Sequence, residues 1–105
     1  MASAVIDSGI CGFCTTVRTT SDGARTVRVE FETDCPHVAK LAEVLREVDP
    51  YREITYRGDG PLTLKLAAEH LVHTSCPVPS GIIKAIEVAA GLALPKDATI
   101  KPSRD

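Results

Sequence analysis

The chain has no tryptophan and only two phenylalanines and two tyrosines, so stacking platforms for bases and wide aromatic-walled ligand pockets are poorly supplied. Charge of one sign is also scarce. Twelve Lys and Arg stand against 14 Asp and Glu, a net charge of -2, and the basic residues are dispersed. No basic face is available to follow a phosphate backbone, and nucleic acid is not expected as a partner. No stretch approaches the roughly 20 apolar residues of a membrane helix, so no membrane partner is expected. The first ten residues carry no basic leader and are interrupted by Asp7 and Gly9, unlike a secretory signal. These absences predict a cytoplasmic protein in a reducing pool, where stable disulfides are rare and clustered cysteines bind metal or do redox work.

What is present suits one folded domain. The 105 residues are 44% apolar and 25% charged, which predicts a single domain over residues 1–105, with 102–105 as a frayed tail. Phe13, Thr15, Val17 and Thr19 alternate with polar neighbours, as do Val27, Val29 and Phe31 with Arg28, Glu30 and Glu32. Two strands joined across Ser21-Asp22-Gly23 as an antiparallel hairpin are the expected result. Ala4-Val5-Ile6 adds a short strand, and Gly9 and Gly12 predict a tight bend around Cys11.

The period then lengthens. Val38, Leu41, Ala42, Leu45 and Val48 form one apolar stripe on a helix opened by Cys35-Pro36 and ending before Asp49-Pro50. A third strand is expected through Tyr51, Ile54 and Tyr56, and a short helix over Leu62–Val72. A final helix starts among Cys76–Ser80, buries Ile82, Ala85, Ile86 and Ala89 and stops at Gly91. Leu92–Ile100 is expected to return a last short strand. The predicted class is α+β, an antiparallel hairpin or small sheet packed against two or three helices.

Four cysteines carry the chemistry. Cys11-Gly-Phe-Cys14 holds two thiols at a spacing that lets both reach one ion, with a glycine to turn the backbone between them. Cys35 lies 21 positions beyond Cys14, and Cys76 lies 41 beyond Cys35, so a four-thiolate shell would have to be assembled by the fold. Cys35 and Cys76 each precede a proline at an expected helix start, where free N–H groups favour a thiolate. The reading is a small metal-binding protein with Cys11, Cys14, Cys35 and Cys76 around zinc or an iron–sulfur cluster. The alternative is thiol redox chemistry at Cys35 or Cys76. His37 and His73 are the histidines placed to substitute for a thiolate, and His70 and His73 would share a face if the helix before Cys76 extends that far. No Ser-His-Asp order, paired-carboxylate cleft or phosphate-binding loop is discernible, which leans away from an enzyme.

Thr74-Ser75-Cys76-Pro77 resembles the motif for which the TSCPD domain, a small cysteine-bearing module, is named, with Val78 in place of its aspartate. The order of hairpin, cysteine-started helix and Thr-Ser-Cys-Pro before a last helix is similar too. Over most of its length the chain also resembles small uncharacterised single-domain proteins of anaerobic bacteria and archaea, through Ser8–Phe13, Asp34–Pro36 and Cys76–Pro79. Both resemblances imply a cysteine site, and neither implies a reaction. A homodimer joined along the hairpin at Arg28 and Glu30 is set against a monomer as the expected assembly.

Overall fold

The structure, a computed structural model, describes residues 1–105. Strands β1 (Ala2–Asp7), β2 (Cys14–Ser21), β3 (Val27–Thr33) and the two-residue β4 (Glu47–Val48) form one antiparallel sheet in the order β1-β2-β3-β4. Period-two alternation gives the sheet one buried face. Ile6, Thr15, Val17, Thr19, Val27, Val29 and Val48 are buried, while Val5, Cys14, Arg18, Arg28, Glu30 and Glu32 face outward.

Helices α1 (Pro36–Val44), α2 (Pro50–Glu53), α3 (Leu62–His70) and α4 (Val78–Ala89) complete the chain. The result is an α+β fold, a small antiparallel sheet covered by helices. Helix α4 packs on β1 and β2, whereas α1 packs on β3 and α3. Ile82 and Ile86 of α4 and Leu41 and Leu45 beside them are wholly buried among the sheet valines. Helix α4 approaches β1 so closely at Gly81 that a Cβ there would lie well inside van der Waals contact of Ile6 Cγ1 and Cδ1. Glycine is needed at that point for space. At the other end of α4, Gly91 takes a positive φ of 74° after the last turn, and Leu92 N–H donates to the Glu87 carbonyl, as expected of a glycine stop.

Three expected elements differ. The helix starting at Pro36 ends at Val44, short of Val48. Leu45 turns to φ -99° and ψ 91°, Val29 N–H donates to the Arg46 carbonyl, and Val48 pairs with Val27 as a strand residue. Its apolar side chain satisfied the helical stripe and the strand pairing equally well. The third strand through Tyr51, Ile54 and Tyr56 does not form. Asp49 accepts from Tyr51 N–H at 3.0 Å and starts the one-turn α2 on Pro50, which leaves all three side chains exposed. The last strand at Leu92–Ile100 is also absent. Pro95-Lys96-Asp97 breaks the alternation there, and the chain beyond Gly91 is exposed throughout.

Asp49 also holds the hairpin turn. Its Oδ2 accepts from Arg25 Nη2 at 2.9 Å and Nε at 3.2 Å, and the same guanidinium lies 5.0 Å from the centre of the Tyr51 ring. The Arg25 hydrogen bond draws the Asp49 carboxyl below its ordinary value, against an opposing effect of desolvation, with help from the Tyr51 N–H. A carboxyl depressed in the folded state stabilises the fold above its unfolded value of about 3.9, and that contribution is lost as pH falls through the folded value. Melting temperatures of the parent and Arg25→Met should therefore differ most near neutral pH and converge below about pH 4. The non-titrating Tyr51 contact leaves a residual gap. A difference that stays constant from pH 7 to pH 2 would show that the pair contributes nothing through ionisation.

Candidate functional site

Local sequence places each cysteine. Asp7 Oδ1 accepts from Gly9 N–H at 2.9 Å as the chain leaves β1, and a single 3₁₀ turn follows over Gly9–Cys11. Gly12 then reverses the path at φ 79° and donates to the Gly9 carbonyl at 2.9 Å. Only a residue without Cβ takes that conformation cheaply. Cys11 ends the turn and Cys14 opens β2, paired with Asp7. Cys35 is the N-cap of α1, and Cys76 stands two residues before α4.

The sheet register brings these four segments to one end of the molecule. Thr15 pairs with Thr33, so the start of β2 lies beside the end of β3. Their hydroxyls are 2.7 Å apart, and Thr33 Oγ1 accepts from Cys35 N–H at 3.1 Å. These bonds fix the entry to α1 next to the residue that follows Cys14. Helix α4 runs with Gly81 over Ile6 and with the Ala85 carbonyl accepting from Thr19 Oγ1 at 2.8 Å. Since Ile6 pairs with Thr15, the N-terminus of α4, and Cys76 with it, points to the same end.

The side chains divide there into two sets. Thr15 faces the helices, so its neighbour Cys14 faces the opposite side of the sheet and is exposed, as is Cys11. Cys35 and Cys76 begin segments on the helix side, are half-buried and pack against the core. All four thiols are free, and no three His, Cys, Asp or Glu side chains are grouped closely enough to hold a metal ion. His37 and His73 are exposed. Helix α3 ends at His70, so the shared helical face with His73 does not form, and His73 meets Cys76 only through its carbonyl, which accepts from Cys76 N–H at 3.2 Å.

At the other side of the fold, the carboxyl of Glu53 is unforeseen by sequence. It is 2% exposed, and accepts from Leu62 N–H at 2.7 Å and from Thr63 N–H at 3.0 Å and Thr63 Oγ1. Leu62 and Thr63 open α3, whose N-cap is Pro61 with no side-chain cap of its own. Glu53 thus caps α3 from nine residues away, and its task is structural.

No helix is long and apolar enough to cross a membrane. A family described as of unknown function (DUF6951) matches residues 2–102. No curated protein and no solved structure matches the chain.

Proposed function

We propose that this chain, which belongs to that family of unknown function, is a metal-binding protein that holds zinc or an iron–sulfur cluster by cysteine thiolates, with Cys11 and Cys14 making first contact. The observation that carries this reading is the exposed pair itself: two thiols three residues apart on a hydrogen-bonded turn reversed by Gly12. Two thiolates at such a turn can bind one ion without moving a strand, and the remaining positions of a tetrahedral shell ask for two more. Cys11, Cys14, Cys35 and Cys76 are the pool of thiolates for that shell. Support also comes from the register and the α4 packing, which bring all four segments to one end of the sheet.

Metal analysis of anaerobically purified protein tests the reading. Thiolate-bound metal is expected in the parent, with Cys14→Ser losing at least tenfold in affinity while still folding, because Cys14 is exposed and contributes little to the core. Brown protein with iron and sulfide in equal amount selects a cluster, and colourless protein with zinc selects the ion. Metal content unchanged in Cys14→Ser would remove the pair from the site. A second reading, thiol redox chemistry, is favoured by Cys35 at the N-cap of α1. A glutathione adduct confined to Cys35 or Cys76 after exposure to oxidised glutathione would support it.

A further inference from the structure

We infer that the metal shell on Cys11 and Cys14 is completed by the same two cysteines of a second copy of this chain, giving a zinc ion held by four thiolates on a two-fold axis. This rests on the thiolate reading above and specifies its partner. Zinc in a closed site takes four ligands in a tetrahedron, of which this turn supplies two. No third His, Cys, Asp or Glu of the same chain joins them. The reason is built into the strand. The side chain before the buried Thr15 leaves the sheet on the face away from the helices, whereas Cys35 and Cys76 sit against the core on the helix side. The Thr15–Thr33–Cys35 hydrogen-bond chain holds the entry to α1 on that side.

A second copy meets no such obstacle. Gly9, Ile10, Cys11 and Gly12 are all exposed, and both thiols are already in solvent. A two-fold axis through the ion uses the same patch on both partners and closes the assembly at two. Ile10, immediately before Cys11, would lie in that contact. It is fully exposed, at 106% of its reference area, on a turn too short to bury it against its own sheet. Opposed across the axis, the two isoleucines would cover the ion and exclude water from the thiolates. Zinc binding needs each thiol to give up its proton to solvent, and no oxidant or reductant takes part.

Titration of the full-length, reduced, metal-free chain with zinc alone, followed by light scattering, tests this. Saturation is expected at one zinc per two chains, with the mass rising from 11.2 kDa to twice that value and returning on addition of a chelator. Cobalt in place of zinc should show the absorption of a tetrahedral four-thiolate site at the same half-equivalent. Ile10→Asp should raise the protein concentration needed for the doubled mass at least tenfold, and Cys11→Ser should abolish both uptake and doubling. Saturation at one zinc per chain with the mass unchanged would overturn the shared site and leave the thiolate reading standing. Absence of zinc or cobalt uptake by the reduced chain would overturn the shared site and the zinc form of the thiolate reading, while iron and sulfide in the anaerobically purified protein decide the cluster form separately.

Discussion

Glu53→Ala is expected to destabilise the protein by about 3 kcal/mol, far more than a substitution at an ordinary acidic residue. The carboxyl is buried and serves three donors at the start of α3. Removing it leaves the buried N–H and hydroxyl of Thr63, and the part-buried N–H of Leu62, without their acceptor, and opens a void in the same place. Pro61 cannot take over, since it has no side-chain acceptor. Glu53→Gln should recover only part of the loss, because an amide offers one acceptor and turns its NH₂ toward a donor. Urea unfolding of the two variants beside Glu69→Ala, which changes an exposed acid on the same helix, gives the comparison. Equal midpoints for Glu53→Ala and Glu69→Ala would mean that α3 holds its first turn without the cap.

The second large effect is in the core. Ile86→Ala should cost about 4 kcal/mol, within the range for a buried branched residue cut to alanine. Ile86 is wholly buried on the helix that covers β1 and β2, and close packing on both sides leaves little room for collapse into the cavity. Val44→Ala, a truncation of a side chain about half exposed, should stay within about 0.5 kcal/mol. For a domain of this size the first difference corresponds to a fall of roughly 16 °C or more in melting temperature. A fall of only a few degrees in Ile86→Ala would mean that neighbouring side chains refill the space.

The first three strands and the starts of the two cysteine-led helices are legible because each is written in one period. Thr15, Val17 and Thr19 alternate, Pro36 follows Cys35, and Gly91 ends α4. Val48 was ambiguous because a buried valine satisfies either period. Tyr51 and Tyr56 suggested a strand by residue type, whereas Asp49-Pro50 decided the local backbone. The separation of the thiols was also present in the sequence. The alternation that buries Thr15 turns Cys14 to the other face, a consequence that the spacing of cysteines alone does not reveal. Glu53 had no such signal, because its partners come from a helix start nine residues on, and only the tertiary path brings them together.

The bare backbone of Gly81 over Ile6 ties two distant positions to a common history. A methyl group at 81 would compete for the volume already filled by the branches of Ile6, while the shorter side chain of valine at 6 would yield part of that volume. Among relatives, then, residue 6 sets what residue 81 is permitted to be. Lineages that acquire alanine at 81 are expected to carry a smaller residue at 6, and those that keep isoleucine at 6 to retain glycine at 81, so that the two sites drift as one character although they stand 75 positions apart in the chain.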